Sequence, residues 1–200
     1  AGTTTPNTSI SVNTLLHSGT GIWTIGAGTL TAGAEKELII NTANAQVTVN
    51  ANIADHASGA STLVKAGSNN LTLAAANTYT GGTVLSSGTT TATNTSASAF
   101  GTGTITAAGN PSLVHSAGAA IPNNITINAG SNLNASGGFR TLSGVVSGAG
   151  SFTANGTIQL TNTNTYTGKT FMTGGGLLCF NTDAALGAVP ASFDPANLTI

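Results

Sequence analysis

The chain has 200 residues and a net charge of −1, and charged side chains make up 4% of it. An ordinary soluble domain has roughly 25% charged residues. The four Lys and Arg residues are too few to displace the counterions of a nucleic acid, so a nucleic-acid partner is excluded. The mean hydropathy of +0.22 does not fit the usual disordered composition. No apolar run approaches the ~18 residues of a membrane-spanning helix, so this segment is not expected to insert into a membrane.

Short alternating segments recur along the chain, and no sustained helical period is present. Each segment places apolar side chains on one face of a strand with polar residues between or beside them, and Gly or Asn clusters bound nearly all of them. In chain order they are Ile22–Ile25, Gln46–Val49, Leu71–Leu73, Thr104–Thr106, Ile125–Ile127 and Ile158–Leu160. Near the end of the chain, the strand-sized run 177–180 indicates a buried, unreactive Cys179. The sequence predicts an all-β protein.

An internal repeat distinguishes a solenoid from a sandwich or barrel. Residues 77–83 read N-T-Y-T-G-G-T and residues 164–170 read N-T-Y-T-G-K-T, at an offset of 87 residues. Ala99-Phe100-Gly101 recurs, one deletion later, as Ala185-Leu186-Gly187. Because one solenoid coil takes about 20–30 residues, the unit is interpreted as roughly four coils and the chain as about 8–10 coils. A sandwich is the alternative, although it would usually carry more aromatic and charged residues.

The repeat resembles a known family pattern. The run 63–73 (L-V-K-A-G-S-N-N-L-T-L) followed by N-T-Y-T-G-G-T is similar to the autotransporter-associated β-strand repeat of bacterial passenger domains. That pattern reads approximately L-T-K-x-G-x-G-T-L-T-L, then N-T-Y-T-G-x-T. Asn70 replaces a frequent glycine, and the strand after Gly150 is two residues shorter than the family spacing. The resemblance is good over about residues 61–106 and 121–200 and weak over residues 1–60.

The resemblance implies a right-handed parallel β-helix outside a bacterial cell. We therefore expect a single β-solenoid over residues 1–200, with degenerate coils at 1–60, a first repeat unit at 61–147 and a truncated second unit at 148–200. The chain stops within a strand pattern at Leu198-Thr199-Ile200. An unfinished strand leaves unpaired edges, which suggests a fragment or a subunit whose stack continues into a neighbour.

Few residues are candidates for a catalytic, phosphate-binding or metal-binding role. Gly168-Lys169-Thr170 resembles the tail of a phosphate-binding loop, but that motif needs a glycine where Thr163 stands, so we predict a corner turn. Asp55-His56 is the only adjacent acid–imidazole pair, and no nucleophile accompanies it in the sequence, so a polar corner is expected. The acids do not form calcium-loop strings. No enzyme activity, catalytic residue, metal site or cofactor is predicted.

The predicted role is a structural module of an extracellular or cell-surface fibre, stalk or passenger. The repeat-signature residues are Asn77, Tyr79, Gly81, Asn164, Tyr166 and Gly168. Self-association, head-to-tail or lateral, is expected because a nearly neutral surface offers little repulsion, unless further coils of a longer chain take that place.

Three other functions remain open at this stage. The first is a glycan-binding adhesin segment, in which Tyr79 and Tyr166 would contact sugars at the surface. The second is an ice-binding solenoid, suggested by Thr-x-Thr strings such as Thr29–Thr31 and Thr104–Thr106. These strings lack the required 20–30 residue period. The third, a polysaccharide-acting enzyme, lacks a visible acidic metal cluster.

Overall fold

The computed structural model describes residues 2–4, 9–116, 118–190 and 194–199. Short strands recur along this length because the inward positions alternate with polar ones and glycine-rich corners end each run. In chain order the strands are β1 Gly2–Thr4, β2 Ile10–Val12, β3 Thr14–Leu16, β4 Trp23–Ile25, β5 Thr29–Ala32, β6 Glu37–Asn41, β7 Val47–Val49, β8 Asn52–Ala54, β9 Thr62–Ala66, β10 Leu71–Leu73, β11 Thr83–Leu85, β12 Thr89–Ala92, β13 Ile105–Ala107, β14 Ser112–His115, β15 Ile125–Ile127, β16 Asn132–Leu142, β17 Val146–Gly148, β18 Ser151–Leu160, β19 Thr170–Thr173, β20 Leu178–Phe180 and β21 Leu198–Thr199. A 3-10 helix spans Asp183–Leu186.

The strands form three sheets, and every pairing between these strands is parallel. Sheet 1 has the order β1-β4-β7-β10-β12-β14-β16-β18-β19-β21, with β20 also paired to β18. Sheet 2 has the order β17-β15-β13-β11-β9-β6-β3, and sheet 3 the order β2-β5-β8. Because the chain visits the sheets in turn and returns to each one coil later, it winds as a solenoid of about eight turns. The predicted all-β parallel β-solenoid is confirmed.

From β4 to β19, successive paired positions on sheet 1 are 18–24 residues apart. The inward positions stack into columns that fill the narrow interior with aliphatic and small side chains. On sheet 2 the buried column is Leu38, Leu63, Thr83, Ile105, Ile125 and Val146. The predicted strand Ile22–Ile25 begins one residue later, since Trp23 and Ile25 point inward and Ile22 is 52% exposed. Cys179 is only partly buried, so its predicted burial is wrong.

Between β8 and the second half of β16, the third face of the solenoid continues without regular strands. Thr78 N–H donates to the Ile53 carbonyl at 2.8 Å, and Thr102 N–H donates to the Tyr79 carbonyl at 3.1 Å. Further along, Ile121 forms a parallel bridge with Leu142. Main-chain hydrogen bonds therefore join the coils on this face as well, through corner segments rather than ladders.

The two copies of the repeat lie on different faces. Thr83 begins β11 in sheet 2, whereas its counterpart Thr170 begins β19 in sheet 1. Starting at Leu71, four successive sheet 1 partners lead to Ala154, while the sequence counterpart of Leu71 is Ile158. The 87-residue offset is therefore four coils plus one face, rather than the roughly four coils predicted.

The extra face lies within β18, which contains both Ala154 and Ile158 and, like β16, runs around a corner. The first half of β18 pairs with β19 and its second half with β20, so the halves lie on neighbouring faces of the next coil. The register between β16 and β18 shifts between Gly137 and Arg140, and Gly156 opposite has a φ of 114°. A positive φ lets the backbone turn here without a loop.

Candidate functional site

The signature corner, which we define as residues 77–83 in the first copy and 164–170 in the second, joins three consecutive coils. In the first copy the Asn77 amide is buried and binds main chain in both neighbouring coils. Its Oδ1 accepts from Ile53 N–H at 2.8 Å, and its Nδ2 donates to the Ala99 carbonyl at 2.6 Å. One side chain therefore replaces the hydrogen bonds that a regular strand would make at this corner.

A buried tyrosine completes the corner. The Tyr79 hydroxyl lies 2.6 Å from Thr83 Oγ1, which in turn donates to the Phe100 carbonyl at 3.0 Å. Since the threonine hydroxyl has one hydrogen and gives it to that carbonyl, the tyrosine donates to the threonine. Burial raises the pKa of Tyr79. The phenol is thus a neutral, fixed donor.

Glycine is required where the coil above covers this ring. Gly101 has a φ of 68°, and a Cβ on it would lie 2.6 Å from the Tyr79 carbonyl oxygen. Gly81 meets the coil below, where a Cβ would lie 2.6 Å from the Ser61 carbonyl oxygen. Such approaches are shorter than any carbon–oxygen contact allows, so both positions need the missing side chain.

The second copy repeats this geometry one face further around. Asn164 Oδ1 accepts from Val146 N–H at 2.7 Å, and its Nδ2 donates to the Ala185 carbonyl at 2.7 Å. The Tyr166 hydroxyl lies 2.6 Å from Thr170 Oγ1, which donates to the Leu186 carbonyl at 3.4 Å. The two halves of the repeat, N-T-Y-T-G-x-T and A-x-G, are therefore partners across neighbouring coils in both copies.

The prediction that Tyr79 and Tyr166 serve as surface contacts is wrong. Both side chains have 0% exposure. The rings are covered because the A-x-G segment of the next coil lies over each of them, with Gly101 above Tyr79 and Gly187 above Tyr166. Neither ring is available to stack on a sugar.

Lys65 is a buried cation that the sequence did not reveal. It follows Leu63 at the next inward position of β9 and is fully buried. Its Nζ donates to the Ser87 carbonyl at 2.8 Å and to the Gly67 carbonyl at 2.5 Å. Desolvation lowers the pKa of Lys65 to about 8. The period-two alternation of residues 63 and 65 was the signal that could have placed this side chain inside.

The acid–imidazole pair does not form a catalytic unit. Asp55 accepts hydrogen bonds from Ser61 N–H at 2.7 Å, Thr80 N–H at 2.9 Å and the Thr80 hydroxyl at 2.8 Å. Burial acts to raise the pKa of Asp55, but these hydrogen bonds outweigh it and hold the pKa below its ordinary value. His56 Nδ1 instead lies 2.8 Å from the Ser58 hydroxyl. The two side chains bind different partners and shape a corner.

The other candidates also serve the corners. Gly168 packs on the Gly150 carbonyl, where a Cβ would be 2.2 Å away, and Thr170 holds Tyr166, so neither is free to cradle a phosphate. Lys169 is half-exposed and pairs with Asp194 at 3.7 Å. Within the described ranges, no group of three or more His, Cys, Asp or Glu residues could hold a metal ion. The described residues also include no helix long and apolar enough to span a membrane.

The Thr-x-Thr strings do not stack upon one another. Thr29 and Thr31 in β5 face Asn52 and Ala54 in the next coil, so this string has no threonine above it. A different threonine column forms on the outer side of sheet 1, from Thr24, Thr48, Thr72 and Thr91. Neighbouring outer positions carry Gln46, Asn70 and Ser112, which makes this face polar and uncharged.

The comparisons with known proteins identify a bacterial passenger repeat in the segments that hold the signature corners. A family model described as passenger-associated-transport-repeat matches residues 63–92 and 155–178. The first segment contains the signature corner at residues 77–83, and the second contains the one at residues 164–170. The chain contains the autotransporter passenger repeat. It is also 30% identical over 198 residues to the "Adhesin BmaC autotransporter" of Brucella suis biovar 1 (strain 1330).

That match covers 98% of this passenger-repeat chain and 6% of the relative. The chain thus spans a small part of the length of the curated relative it matches. No solved structure matches the chain.

Proposed function

We propose that this chain is a non-catalytic structural module of an autotransporter passenger displayed on the outer surface of a bacterium. The observation that carries this proposal is the signature corner, in which one buried asparagine and one buried tyrosine tie three coils together. The same arrangement occurs twice, so the repeat itself encodes coil-to-coil attachment. The relative named an adhesin supports a location at the cell surface.

A stack of this kind suits a rigid spacer. Backbone hydrogen bonds join each coil to the next, and each coil adds about 4.8 Å to the length of the stack. The solenoid can therefore become longer without a wider core. The nearly uncharged surface carries few groups that depend on ionic strength or pH. An enzyme would need converging reactive groups, whereas Asp55, His56 and Lys65 each bind separate partners at the corners.

The test is the shape and protease resistance of the purified chain. Small-angle X-ray scattering should show a rod about 40 Å long, and limited proteolysis should leave the coils intact. The variant Asn77→Ala/Asn164→Ala should be cut within the coils under the same conditions. On the producing bacterium, antibodies against corner loops should label intact cells. A compact or readily digested chain, or labelling only after lysis, would contradict the proposal.

We also propose that copies of this module associate head to tail. The first described coils expose Leu16 (62%) and Ile22 (52%), and a small apolar pocket lies beside them, lined by Ile10, Leu15, Trp23, Ile25 and Leu30. Val189 and Leu177 are exposed at the opposite end of the stack, at 86% and 64%. Burying these surfaces against one another would remove apolar area from water.

A further inference from the structure

We draw no further inference here: the strongest candidate, the aliphatic column that Ile39, Val64 and Val84 form on the outer face of sheet 2, carries no proposal because nothing in the structure shows what covers it.

Discussion

At the corners, single side chains form the hydrogen bonds between coils that strand ladders form elsewhere in the solenoid. The Asn77 carboxamide satisfies a main-chain N–H below it and a carbonyl above it, both within the core. Because buried main-chain groups lose their water on folding, removing their partner exposes the full desolvation cost. The loss of stability on replacing Asn77 should therefore come mainly from the main-chain N–H and carbonyl that are left buried without a hydrogen bond.

We expect Asn77→Ala to lower the free energy of unfolding by about 1–3 kcal/mol for each of the two main-chain groups left unpaired. Asn164→Ala should behave alike, since its carboxamide has the same partners in the second copy. Urea denaturation followed by circular dichroism measures both. The control is Asn50→Ala, at an exposed position, where a change within about 0.5 kcal/mol is expected. Equal losses at all three positions would contradict the corner role.

The buried ammonium of Lys65 makes stability depend on pH. In the folded chain the pKa of Lys65 is lowered to about 8, from an ordinary value of 10.5. Between these values the unfolded chain binds more protons, so the free energy of unfolding should rise as the pH increases. From pH 7.5 to 9.5 we expect a gain of about 1–2 kcal/mol.

In Lys65→Met, the free energy of unfolding measured at the same two pH values should no longer rise. Lys169→Met, at the half-exposed lysine paired with Asp194, should keep the rise. The measurement stays below pH 10 because burial also raises the pKa of Tyr79 and Tyr166. Ionisation of these phenols in the unfolded chain would then oppose the rise. An unchanged slope in Lys65→Met would refute the assignment.

At the scale of the element, the spacing between coils at a corner is set by glycine. The strands keep their distance through ladder hydrogen bonds, but the corners approach more closely, with Gly81 against the Ser61 carbonyl. A methyl group there must displace backbone of the neighbouring coil, which cannot move without disturbing its own ladder.

We therefore expect Gly81→Ala to destabilise the chain by about 1–3 kcal/mol or more. Gly138→Ala is the comparison: it lies beside the register shift in β16, and the nearest atom to its Cβ would be the end of the Arg140 side chain at 3.7 Å. The melting temperature of that variant should be close to that of the unmodified chain. Thermal unfolding followed by circular dichroism distinguishes the two, and similar melting temperatures would argue against tight corner contact.

Sequence reasoning succeeded where the signal is local. Alternation in Gln46–Val49 and Leu71–Leu73 predicted the strands because their inward and outward faces differ in polarity. It failed for Tyr79, because the segment that covers this ring, Ala99–Gly101, belongs to the next coil. Contacts between coils are not visible in a single strand's pattern.

At the scale of the whole molecule, the head-to-tail association proposed above would depend on the apolar side chains exposed at the two ends of the stack. We expect the sedimentation coefficient of the purified chain to increase with concentration, without dependence on salt, because apolar contacts are not screened. Leu16→Asn/Ile22→Asn should reduce this increase. Thr78→Asn, at an exposed corner position, should not. A single species at every concentration, or association suppressed by salt, would contradict head-to-tail stacking.

The offset of four coils plus one face gives the repeat a direction around the axis as well as along it. Each copy places its corner on the next of three faces, as Thr83 on sheet 2 and Thr170 on sheet 1 show. If further copies kept this spacing, the corners would follow a screw path, and the fourth would return to the face of the first. Loops inserted at equivalent positions would then project in three directions, so neighbouring loops along the rod would not obstruct one another.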